Sequence, residues 1–87
     1  MLLLHSKRNM SIKVLFTVKA KKGQAKKITQ ELRAQSEVLE AHTIRDGKID
    51  VIAWVTVPSL EFYREFIERI SLMPEIDDFE SFITVGG

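Results

Sequence analysis

The side chains able to do chemistry are few and widely spaced in this chain of 87 residues: two histidines, His5 and His42, twelve carboxylates and no cysteine. Without cysteine there is no thiolate nucleophile, no Cys-type zinc site and no disulfide. The histidines are isolated and no HExxH-like run surrounds them, so neither a metal hydrolase nor a Ser/His/Asp site is expected. Phosphate cradles need clustered glycines where a strand turns into a helix, whereas Gly23 stands alone and Gly47 falls in a predicted hairpin. His42 is the one group placed to titrate near neutral pH, and a hydrogen-bonded sheet histidine is the plain role for it. Glu75, Asp77, Asp78 and Glu80 could gather a cation, but carboxylates beside a strand ordinarily form a solvated edge that discourages aggregation. A protein without catalytic residues, metal or cofactor is expected.

One short segment offers more. In Asp46-Gly47-Lys48-Ile49-Asp50 an acidic residue lies just past a glycine turn, among backbone N–H groups left free by the end of a hairpin. Acceptor and donors together suit a zwitterion, whose ammonium wants a carboxylate and whose carboxylate wants N–H groups. Asp46, Gly47, Ile49 and Asp50 are therefore candidate ligand-binding residues, with Gly47 allowing close approach of the backbone. A plain type I′ hairpin with an exposed Asp50 accounts for the same spacing.

These residues need elements to position them. Between Ser11 and Lys19, Ile12, Val14, Phe16 and Val18 alternate with Lys13, Leu15, Thr17 and Lys19, which predicts a strand. Gly23 breaks it, and Ala25, Ile28, Leu32 and Gln35 then recur at helical spacing, with Lys26 and Lys27 opposing the dipole in the first turn. Val38 to Arg45 and Lys48 to Val57 read as two strands joined by a tight turn at Asp46-Gly47. Pro58-Ser59 opens a second helix, Ser59 its N-cap, with Leu60, Tyr63, Phe66, Ile67 and Ile70 as its buried stripe. Glu61 with Arg64 and Glu65 with Arg69 are predicted to pair on its exposed side. Pro74 ends that helix, and Phe79 to Val85 supplies a last strand.

The order βαββαβ predicts an α+β, ferredoxin-like sandwich: a four-stranded antiparallel sheet with two helices on one face. The other face then lacks cover. Strand parity places Leu15, Ile52, Trp54 and Phe82 on it, a surface too apolar for water and so expected to be a dimer interface. Burying those side chains contributes roughly 1.5 to 3 kcal/mol each, comparable with the whole stability of so small a domain. The competing expectation is that the N-terminal arm, residues 1–10, folds Met1 to Leu4 over this face, leaving 11–87 as the domain proper.

Net charge is +1 but unevenly placed, with ten Lys/Arg against three Asp/Glu up to residue 45 and three against nine beyond it. A basic first helix lying near an acidic second one accounts for this without nucleic acid. The apolar start is too short for a signal segment, its charges Lys7 and Arg8 follow it, and no stretch is long enough to span a bilayer. A cytoplasmic protein is expected.

The segment RDGKIDVIAWVTV, followed by a helix and by MPEIDDFESFITV, resembles the C-terminal ligand-binding domain of the Lrp/AsnC regulators of amino-acid metabolism, from about Ile12 to Val85. Gly47 and Asp50 match the family's Gly and Asp at the strand turn, though Ile44-Arg45-Asp46 departs from its apolar-Thr lead-in. Pro74-Glu75-Ile76 and Ser81 are similar to its last turn and small hydroxyl residue, with Glu75 in place of glycine. The resemblance implies a domain that dimerises through its sheets, builds rings such as octamers, and binds a free amino acid between dimers with Ser81 added to the site. It further implies a stand-alone form without the helix-turn-helix, acting by co-assembly with full-length regulators and not by direct DNA contact. Dimeric α+β barrel enzymes of the small monooxygenase type, with His42 and Trp54 lining a pocket, and ACT-like amino-acid sensors share the same topology.

Overall fold

The computed structural model describes residues 11–84. Four strands and two helices follow in the order β1 (Ile12–Ala20), α1 (Ala25–Arg33), β2 (Val38–Thr43), β3 (Val51–Val57), α2 (Leu60–Ser71) and β4 (Ile76–Ile83). The sheet order is β2-β3-β1-β4, and the pairs β1/β3, β1/β4 and β2/β3 are all antiparallel. This is the expected ferredoxin-like arrangement. Expectations for residues 1–10 and for Val85 lie outside the described residues.

Alternation decides the layers. Val14, Phe16 and Val18 of β1 and Val51, Ala53, Val55 and Val57 of β3 are all buried, because a period of two sends them to one face. Ile28 and Leu32 of α1 and Phe66 and Ile70 of α2 close over that face in a single cluster. Phe16 sits at its centre, edge-on to Phe66 at 5.5 Å and stacked on Phe79 at 5.3 Å between ring centroids. Thr29, the one buried polar side chain among the described residues, is satisfied by Ala25 O at 3.0 Å and Thr43 Oγ1 at 2.7 Å.

Several boundaries and side chains differ from expectation. The link between β2 and β3 is a loop over residues 44–50 and not a two-residue turn, since the ladder ends at Thr43↔Val51 and Ile44 N then donates to Asp50 O at 2.7 Å. β4 starts at Ile76, so Asp77, Asp78 and Glu80 belong to the strand. Leu60 is 59% exposed, because as the first helical residue it sits beside the cap and above the packed stripe. Ser59 does cap α2, its hydroxyl accepting from Phe62 N at 3.4 Å. Arg69 turns from Glu65 to the loop before β2, bonding Glu37 and, at 2.7 Å, Gln35, where a half-buried carboxylate offers more than a solvated helix neighbour.

Candidate ligand site

Cross-strand partners share a face, so the register of this sheet fixes what its open side displays. Leu15 lies opposite both Trp54 on β3 and Phe82 on β4, and Ile52 stands opposite His42 on β2. Leu15, Ile52 and Trp54 are half-buried and Phe82 is 49% exposed. The ammonium of Lys13 lies 4.8 Å from the Trp54 ring centre, a cation–π contact that covers one side of the indole. His42 Nε2 meets Glu40 Oε1 at 2.9 Å, and both are well exposed. A shallow hollow of about 150 Å³ is lined by Glu40, His42, Ile52, Ala53 and Trp54. The sheet therefore gathers Leu15, Ile52, Trp54 and Phe82 on the one face that no described helix covers.

Towards the other end of the sheet, where the β2–β3 loop passes β1 and β4, lies a larger groove of about 230 Å³. Thr17, Lys19, Lys48, Ile49, Asp78, Phe79 and Glu80 line it. Thr17 is opposite Glu80 and Lys19 opposite Asp78, so these four project from the open face, while Lys48 and Ile49 form the facing wall from the loop. Among the described residues Lys19, Lys48, Asp78 and Glu80 form no ion pair with one another. The groove thus presents charges of both signs beside the apolar Ile49, while the Phe79 ring turns to the helix side and packs on Phe16.

Of the residues singled out in the sequence, Ile49 lines the groove and Asp46 and Gly47 belong to the loop that forms its wall. Gly47 has φ +138°, a conformation L side chains rarely adopt, and the nearest atom to an added Cβ would be Ile44 Cγ2 at an ordinary 3.9 Å. Backbone conformation and not space selects glycine here. Asp50 is half-buried and its Oδ2 accepts from Ala20 N at 2.9 Å. Ser81 is opposite Phe16 on the helix side of β4, where its hydroxyl bonds the Tyr63 hydroxyl, so one chain does not bring it to the loop. Thr17, Lys19, Lys48, Asp78, Phe79 and Glu80 were not singled out for this role. Their signal is the cross-strand register, which no single segment carries.

Lys27 of α1 reaches Glu75 at 2.9 Å, tying the helix to the turn before β4. The hydrogen bond from Lys27 holds the Glu75 carboxyl below its ordinary value of 4.5 and raises Lys27 in turn. Burial is the strongest single influence on the Glu37 carboxyl and pushes it up, but the hydrogen bond and charge of Arg69, joined by backbone and Ser36 hydrogen bonds, together outweigh it and leave that carboxyl lowered as well. No group of three or more His, Cys, Asp or Glu side chains able to hold a metal occurs among the described residues.

Sheet order, helix layer and groove define an α+β module of the ferredoxin-like class with one sheet face that no described helix covers. The chain belongs to the Lrp/AsnC ligand binding domain family, whose profile matches residues 13–86. Its fold is similar to that of FFRP-DM1, which is 28% identical, with 85% of this chain and 99% of that one covered at a TM-score of 0.81. A hypothetical protein from Pyrococcus horikoshii, PHS023, is 27% identical over 87% of this chain and 92% of its own, at a TM-score of 0.80. A transcriptional regulator from Neisseria meningitidis solved as an L-Met complex is 15% identical over 93% of this chain at a TM-score of 0.79, and shares the fold. This chain spans 54% of that regulator's length. No curated protein sequence matches. No helix among the described residues is long and apolar enough to cross a membrane.

Proposed function

We propose that this chain is an amino-acid effector domain, binding a free amino acid in the groove beside the β2–β3 loop and pairing with a second copy through its open sheet face. The observation that carries the reading is the groove itself: charges of both signs that form no ion pair with one another among the described residues, set beside the apolar Ile49, match a zwitterion with a side chain. The family's ligand-binding character and the L-Met complex of the Neisseria regulator support an amino acid as the ligand class. Gly47 and Asp46 shape the loop, Asp50 ties it down, and Ser81 anchors β4 through Tyr63.

The groove lies at the rim of the open face, so a copy docked on Leu15, Ile52, Trp54 and Phe82 would bring further surface close to the bound molecule. Occupancy then biases assembly, and the domain acts on transcription by assembling with itself or with larger Lrp/AsnC regulators, without contacting DNA and without catalysing a reaction. A thermal-denaturation screen of the twenty amino acids tests the reading. Binding to the folded state alone raises its stability, by about 2.7 kcal/mol when free ligand is 100 times Kd. At least one amino acid is expected to raise the melting temperature in a saturable way. The absence of any such shift at millimolar concentrations would refute the proposal.

The hollow at His42 and Trp54 is the feature on which the small-monooxygenase reading rests. An absorbing cofactor copurifying with the protein, or turnover, would select that reading instead.

A further inference from the structure

Asp50 bonds three other residues at once, two on β1 and one at the start of its own loop. Its amide donates to Val18 O at 2.8 Å, its carbonyl accepts from Ile44 N at 2.7 Å, and its Oδ2 accepts from Ala20 N at 2.9 Å. The last bond falls where β1 needs it. The β1/β3 register ends at Val18↔Val51, and the Ala20 amide, on the same edge of β1 as Val18 O, points past that last pair where the ladder does not serve it. A half-buried amide left without an acceptor is costly, and here the carboxylate supplies one. Lys19 precedes Ala20 and Ile49 precedes Asp50, and both line the groove. The Asp50–Ala20 bond therefore joins the two walls of the groove and sets their separation.

With that oxygen committed to the backbone, the groove's own carboxylates are the better acceptors for an ammonium. Asp78 already accepts from Phe79 N at 2.9 Å through Oδ1. Glu80 lies across from Thr17, lines the groove and makes no ion pair among the described residues. Lys48 on the loop wall and Lys19 on β1 stand ready for the opposite charge.

We infer that Glu80 receives the ammonium of the effector and that Lys48, with Lys19, receives its carboxylate. Asp50 does not touch the effector and is a positioning residue, latching the β2–β3 loop to β1. The inference deepens the effector reading above and rests on it. It also reverses the assignment that the sequence suggests for Asp50, in which its carboxylate takes the ammonium directly.

Calorimetric titration of the twenty free amino acids into wild type, Glu80→Gln, Asp50→Asn and Asp50→Ala, with hydrogen exchange at the Ala20 amide, tests it. An amino acid that binds wild type is expected to lose at least about tenfold in affinity in Glu80→Gln. Asp50→Asn keeps an acceptor for the Ala20 amide, so it should retain both affinity and protection of that amide. Asp50→Ala should lose both. A large loss of affinity in Asp50→Asn with the Ala20 amide still protected would make Asp50 a contact residue and overturn the inference, as would unchanged affinity in Glu80→Gln. Exchange needs no ligand: an Ala20 amide that exchanges no faster in a folded Asp50→Ala protein would overturn the latch. Should no amino acid bind wild type, the effector reading itself falls, and with it the charge assignments.

Discussion

At the scale of single residues, the chain shows how a carboxylate's neighbours decide its work. Glu75 and Glu37 are both held below the ordinary 4.5, Glu75 chiefly by the hydrogen bond from Lys27 and Glu37 by Arg69 against the opposing effect of burial. A carboxyl with a depressed folded value contributes stability that is fully present above its unfolded value and is lost as pH falls through the folded one. The melting temperature should therefore stay level from neutral pH down to about 4.5 and then decline. In Glu75→Gln and Glu37→Gln proteins the acid decline should be shallower, and a pH series of thermal melts checks it. Lys27, raised above 10.5, adds a contribution that is lost only in strong alkali. The sequence marks Asp50 as a residue with a special position, and the structure gives it one. What local sequence does not disclose is its partner, because Ala20 lies thirty residues away and is brought near by the β1/β3 pairing. Ser81 is hidden for the same reason, since the Tyr63 hydroxyl that bonds it comes from the other side of the core.

At the scale of elements, periodicity made most of the fold readable. The alternation of Val14, Phe16 and Val18 and the stripe of Phe66 and Ile70 each name their buried face without reference to the rest of the chain. The ends were less legible. The tight turn expected at Asp46-Gly47 widens to a loop because Asp50 bonds backward to β1, and β4 begins three residues early among carboxylates that composition marks as a boundary. Two substitutions probe this level. Phe16→Ala removes the ring that both Phe66 and Phe79 pack on and should cost about 3 to 5 kcal/mol, measured by urea unfolding. Gly47→Ala forces an L side chain into φ +138° with nothing crowding it, so its cost should be about 1 kcal/mol or somewhat more, arising from the backbone alone. Gly47→Ala should also weaken amino-acid binding, because Gly47 belongs to the loop that walls the groove.

At the scale of the whole molecule, the account turns on a sheet with one face covered by helices and one that no described element covers. Leu15 between Trp54 and Phe82 forms an apolar strip across β3, β1 and β4, and helices occupy only the opposite side. Trp54→Glu places a charge at the middle of that strip. Light scattering at micromolar concentration should find a dimer or larger assembly for wild type and a monomer or unfolded chain for Trp54→Glu, and a monodisperse wild-type monomer would remove the pairing surface from the account. The central claim, that the groove by the β2–β3 loop is where an amino acid binds, is tested most directly by amide chemical-shift mapping during amino-acid titration. The account predicts saturable shifts concentrated at Thr17, Lys19, Lys48, Ile49, Phe79 and Glu80. Shifts concentrated instead around His42 and Trp54 or along the helices, or no saturable shifts with any of the twenty amino acids, would contradict it.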